Sequence, residues 1–299
     1  MSAPPLLAVS ILFFALADLW LAFPQIDLAV AGLFWTPEGG FAARGALWEQ
    51  FMYGSIDEAL VIVGLGLIGA WAIGRWHASA ASSALSGIDA PEAKAMRVVL
   101  TRRGDLRLAK PSKVSAARLV SGRQLGFLLL LLALVPGLVV NQVFKEHWGR
   151  ARPIQLEQFG GHQTFTPAFV VSDQNGGSFS SGHVAAAAWL VAVPVVLFGV
   201  SSIWTGAALL YLLAMVLARM AAGAHFLSDT LTSILLVWLG FLILQRLFSL
   251  EPPGTSILGS HPDSSSDSDS DSGAVSDRNA RAEPLLQRQA KAPAKQARR

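Results

Sequence analysis

Three short clusters hold the side chains best suited to chemistry. The first contains Lys145, Arg150 and Arg152, with Pro153 following; the second is Ser180-Ser181-Gly182-His183; the third runs from Arg219 through His225 to Asp229. Lys145 and Arg152 are seven residues apart, two turns on one face if a helix continues to Pro153. Both cations would then address one site, and Arg can grip phosphate oxygens in a bidentate fork. Ser181 and Gly182 precede an apolar run. Free N–H groups and the dipole at a helix N-terminus favour an anion there, and glycine lets the backbone approach it. His225 and Asp229 are four apart, so on a helix the carboxylate would hold one imidazole nitrogen and leave the other to react. Arg219 adds a further cation. Such a set binds a phosphoryl group and transfers it through histidine. The residues alone do not decide which histidine attacks, although Asp229 favours His225.

Each cluster also has a plainer reading when taken singly. Lys and Arg beyond a membrane span commonly snorkel to headgroups, which would account for Lys145 and Arg150. A Ser-Ser-Gly before a helix is often only an N-cap, and an Asp opening a helix suits the macrodipole. The argument for a shared site is that the elements place all three clusters at the same end.

Those elements are membrane spans. The chain has 299 residues, 53% of them apolar and only 14% charged, with a mean hydropathy of +0.47. A soluble domain carries about 25% charged residues. The absence of cysteine excludes a disulfide-stapled fold, thiol nucleophiles, iron–sulfur clusters and Cys-based zinc sites. A span needs about 20 mostly apolar residues. Six segments qualify: about 6–23, 59–76, 125–144, two within 184–218 divided by the turn at 199–206, and 229–245. The expected fold is an all-α, six-span transmembrane bundle over residues 1–250, with its motif-bearing core at about 125–245. The first span reads as a permanent anchor, because no basic segment precedes it and no good small-residue cleavage site follows.

Residues 75–123 hold ten Lys or Arg against three acids, and basic loops stay in the cytoplasm. That puts both termini inside and segments 24–55 and 145–183 outside, so the three clusters meet at the outer face. Residues 263–272 read DSSSDSDSDS, and 278–299 carry seven Lys or Arg. Residues 251–299 are therefore expected to be a disordered cytoplasmic tail, with a serine phosphorylation tract or a lipid-headgroup tether as the functional alternative.

The spacing resembles the type 2 phosphatidic acid phosphatase family, which also includes acid phosphatases and vanadium haloperoxidases. Its pattern of K-x6-RP, PSGH and SR-x5-H-x3-D is similar to Lys145 with Arg152-Pro153, Ser180 to His183, and Ala218-Arg219 with His225 and Asp229. Ser180 stands where the family has proline and Ala218 where it has serine. The resemblance implies that His225 is the nucleophile, oriented by Asp229, and that His183 is the acid for the leaving alcohol and then the base for water. It assigns the phosphate to Lys145, Arg152, Arg219, Ser181 and Gly182.

The expected activity is hydrolysis of a lipid phosphomonoester or pyrophosphate with no metal and no cofactor. The partners are a membrane lipid phosphate and the bilayer; no nucleic acid is implied. The expected location is a bacterial cytoplasmic membrane with the site facing the periplasm or outside. Candidate substrates are lipid A phosphate, undecaprenyl pyrophosphate, phosphatidylglycerol phosphate and phosphatidate. The polar, Phe-studded loop 154–179 is suited to covering a headgroup and is similar to loops of bacterial lipid A phosphatases. Competing readings are a zinc site of His183, His225 and Asp229, a lipid phosphotransferase, a vanadate-dependent peroxidase and a six-helix transporter.

Overall fold

A computed structural model describes residues 4–86 and 120–248. Most of the basic loop and the acidic–basic tail lie outside the described residues. Helix α1 (Pro4–Ala22) leads into short α2 (Gln25–Gly32) and a hairpin of β1 (Trp35–Thr36) and β2 (Gly40–Phe41). Helix α3 spans Leu47–Ser86 and α4 spans Gly122–His147. After a long loop come α5 (Gly182–Phe198), α6 (Ile203–Ala221) and α7 (Leu227–Leu247).

Six apolar helices stand where six spans are expected. Among the described residues five are long and apolar enough to cross a membrane, and α5, with 17 residues, is shorter. Helix α5 does not need to meet lipid along its length. Gly182 and every residue from Val184 to Pro194 are buried, because α3, α4, α6 and α7 surround it. Its run of small residues, Ala185 to Ala188, allows that enclosure from all sides. Trp189 donates from Nε1 to the Leu128 carbonyl (2.8 Å) and ties α5 to α4. Exposed Leu7, Phe14, Ile62, Leu65, Leu210 and Leu213 form the outer apolar surface, as expected of a multi-pass membrane protein.

Two local features shape the site. Ser121 and Gln124 form a reciprocal capping box at the start of α4, but the helix widens into π turns over Ala133–Phe144. Pro136 lies inside that stretch and has no N–H to give, and its carbonyl accepts from Asn141 Nδ2 (2.8 Å). Helix α3 begins twelve residues earlier than hydropathy implies. At 1.5 Å per residue its 40 residues reach about 60 Å, roughly twice the hydrocarbon thickness, so it projects beyond the membrane.

Candidate active site

Helix α4 ends at His147 instead of running to Pro153, so Lys145 and Arg152 do not share a helical face. Gly149 (φ +66°) turns the chain, and a Cβ there would collide with the Ser172 carbonyl. Arg152 follows in extended conformation. The two cations meet by this other route: a Cβ on Gly177 would stand 3.6 Å from Arg152 Nη2 and 3.8 Å from Lys145 Cγ. Arg219 comes from the last turn of α6. Arg152 and Arg219 act on Lys145 and on both histidines, and Lys145 acts on His183. Neither Lys145 nor Arg152 forms an ion pair among the described residues.

Ser181 is the N-cap residue of α5, but its hydroxyl caps nothing. Ser180 Oγ, Ser181 Oγ and Arg219 Nε are buried polar atoms without a partner. Buried polar groups are normally hydrogen-bonded, and here the two serine hydroxyls stand at a helix N-terminus whose first N–H groups lack intrahelical acceptors. Gly182 is required because a Cβ would press into the Asn141 side chain.

His225 lies in the turn before α7, not on it, so the helical pairing with Asp229 does not form. Its Nδ1 is 2.7 Å from the Ser178 carbonyl and 3.9 Å from Asp229 Oδ2. A carbonyl only accepts, so Nδ1 carries the hydrogen and Nε2 keeps the free lone pair. Burial, then the charges of Arg219 and Arg152, hold this imidazole well below its usual range, and only the Ser178 carbonyl works against them. It is neutral at pH 7. Asp229 acts one step removed: its Oδ2 accepts from Ser178 Oγ (2.6 Å) and from Phe226 N (2.8 Å), fixing the residue that orients His225.

Arg150 is not a snorkelling surface cation. It is fully buried, with Nε donating to the Thr166 carbonyl (2.8 Å), Nη1 to Ser228 Oγ and Asp229 Oδ1, and Nη2 to Asp27 Oδ2 (2.8 Å). Asp27 of α2 also accepts from Trp20 Nε1 and Ser228 N. The phenylalanines of the 154–179 loop turn inward as braces. Phe159 packs on Trp35 and Phe41, Phe165 on Phe226, and Phe179 on Trp148.

Helix α3 supplies side chains that the sequence reading did not assign. Glu49 Oε1 accepts from Arg219 Nη1 (2.9 Å), and the Tyr53 ring lies against His183. Asp57 lines a cavity of about 480 Å³ that reaches from Lys145, Gly182 and His183 to Leu60, Leu129 and Leu132. A second cavity, about 340 Å³, is lined by Arg44, Glu49, Tyr53, Arg152 and Arg219. Among the described residues no three His, Asp or Glu side chains group so as to hold a metal; Asp229 is committed to Arg150, Ser178 and Phe226.

The sequence model of the PAP2 superfamily matches residues 125–251, which carry all three clusters. Residues 125–251 are thus similar to the PAP2 superfamily. Outside the matched residues lie Asp27, Glu49, Tyr53 and Asp57. The chain is similar to a protein named Lipid A 4'-phosphatase from Francisella tularensis subsp. novicida, 37% identical over 131 residues, covering 40% of this chain and 56% of the relative. It is also similar to proteins of the same name from Rhizobium leguminosarum, 40% identical over 113 residues (36% of this chain, 46% of the relative), and Rhizobium etli, 37% over 114 residues (36% and 42%). The chain thus matches about half the length of these curated relatives. No solved structure gives a significant match.

Proposed function

We propose that this protein is an integral-membrane lipid phosphatase that transfers phosphate from a lipid to His225 and then to water. One observation carries the reading: Arg152 and Arg219 act on both histidines and Lys145 on His183, beside a helix N-terminus whose buried serine hydroxyls have no partner. The cations and the Ser181 and Gly182 region hold the phosphate. The His225 Nε2 lone pair attacks phosphorus while the bond to the lipid oxygen breaks, and His183, protonated once the bound phosphate offsets the cations beside it, gives its proton to that oxygen. His183 then takes a proton from water, whose oxygen displaces the histidine and frees inorganic phosphate. Lys145, Arg152 and Arg219 supply the positive charge a metal would otherwise bring, so the reaction proceeds without one.

The apolar cavity beside His183 suits a substrate whose chains stay in the bilayer. The relatives' shared name favours a lipid A phosphate monoester over undecaprenyl pyrophosphate, phosphatidylglycerol phosphate and phosphatidate. The site faces the periplasmic side and the termini the cytoplasm. A transport reading lacks support, because buried α5 fills the centre of the helices.

Phosphate release by the purified protein from the four lipids, with and without EDTA, tests this reading. Release from lipid A that survives EDTA and is blocked by vanadate is expected. Activity lost in chelator and restored by zinc would sink it. The chain has no cysteine, so Glu157→Cys and Ser266→Cys, probed in intact cells with an impermeant thiol reagent, test orientation; labelling at 266 alone would reverse it.

A further inference from the structure

The first turns of α3 precede the PAP2-like residues 125–251, yet they form one wall of their site. Glu49, Tyr53 and Asp57 recur every four residues, which places them on one helical face. The Tyr53 ring stacks on the His183 imidazole with centroids 4.6 Å apart and planes inclined by 27°. Arg219 Cζ lies 4.9 Å from the same ring centroid, and Glu49 holds the Arg219 Nη1 end at 2.9 Å. Tyr53 thus touches two groups of the site at once. It remains 50% exposed, so filling a core does not account for it.

Building on the phosphatase reading, we propose that Tyr53 is a positioning residue for His183, and that Glu49 is one for Arg219. A histidine that protonates a departing alkoxide must present its N–H along one direction. A ring stacked flat against the imidazole restricts its rotation about the Cβ–Cγ bond and so fixes that direction. The same ring faces the Arg219 guanidinium, while the Glu49 carboxylate sets that guanidinium's plane and leaves its buried Nε for the phosphate. The PAP2-like residues supply the reacting groups, and α3 sets the angle of two of them.

The test compares turnover on lipid A, whose leaving oxygen needs a proton, with turnover on p-nitrophenyl phosphate, whose leaving group does not. Tyr53→Ala and the bulkier Tyr53→Leu should each lose about tenfold or more on the lipid but less than about threefold on the activated ester. Tyr53→Phe, which keeps the ring, should restore both rates. Glu49→Gln should raise KM on both substrates alike and leave the leaving-group dependence unchanged. Thermal unfolding in detergent identifies any variant that fails to fold, and Tyr53→Leu carries the test if Tyr53→Ala does. Equal losses on both substrates, or Tyr53→Phe as impaired as Tyr53→Leu, overturn the role of Tyr53, and an unchanged KM in Glu49→Gln overturns that of Glu49. Wild-type protein that releases phosphate from neither substrate overturns the phosphatase reading itself and this one with it.

Discussion

Arg150 and Arg152 stand two residues apart and have opposite surroundings. Arg150 is sealed between Asp27 and Asp229, with all three guanidinium nitrogens engaged. Arg152 is half-buried beside Lys145, with no carboxylate partner among the described residues. The surroundings make the difference: Arg150 meets the carboxylates of Asp27 and Asp229, whereas Arg152 lies with Lys145 beside Gly177. A cation whose charge is already neutralised builds structure. One left without a counter-ion keeps its charge for an incoming anion. Proximity to a conspicuous motif therefore says less about a residue's role than the charge facing it.

The largest effect isolates the reaction from both arginines. In the proposed mechanism His225→Ala removes the atom that bonds phosphorus, so turnover should vanish on lipid and p-nitrophenyl phosphate alike. His183→Ala should lose about 10²–10⁴-fold on the lipid and move toward the low end on the activated ester. A leaving-group series measured on both variants checks this, and rescue of His225→Ala by the better leaving group would exchange the two roles.

The arginine pair can be separated directly. Arg150→Ala leaves two buried carboxylates without their cation and should cost about 3–5 kcal/mol of stability, read as a lower unfolding temperature in detergent. Arg152→Ala should unfold as the wild type does yet lose about 10²–10³ in turnover, the usual scale for removing one preorganised donor. Equal destabilisation by both variants would erase the contrast.

Asp27→Asn sharpens it further. It weakens one side of the Arg150 clasp far from His225, so it should cost about 1–3 kcal/mol of stability while kcat stays within a few-fold. A kcat collapse without loss of stability would place Asp27 in the chemistry.

The smallest effect is a pH dependence. The folded protein holds His225 neutral, below its ordinary range, whereas the unfolded chain protonates it near pH 6.5. Below that value the unfolded state binds more protons, so the histidine's contribution to stability is full above about pH 6.5 and shrinks as pH falls. His225→Gln should flatten this slope in thermal unfolding measured from pH 7.5 to 5.

Much of this was legible in the residues. The apolar runs mark six helices, and the turn at 199–206 appears as the break between α5 and α6, where Gly199 and Ser202 flank the bend. What hydropathy hides is the start of α3: Trp48 to Glu58 mixes Glu49, Gln50, Asp57 and Glu58 with apolar residues, so it scores as loop although its polar positions repeat at helical spacing. The partner of Arg150 was hidden because it is Asp27, more than a hundred residues earlier. A lone acid within PQIDLAVAG was the available signal, since an ionisable group among apolar neighbours needs a partner. The link between His225 and Asp229 was read as direct because spacing reports neither that the helix begins only after the histidine nor that the Ser178 carbonyl intervenes.

The clasp at Asp27 bears on how the protein is made. Asp27 leaves the ribosome 201 residues before Ser228, which donates to it through both backbone and side chain. At about 5–20 residues per second, the Asp27 carboxylate waits roughly ten to forty seconds for Ser228. Until Ser228 and Asp229 arrive, Arg150 lacks two of its partners and the Ser178 hydroxyl lacks the carboxylate it donates to. The frame around His225 is therefore completed last, by the segment that opens α7.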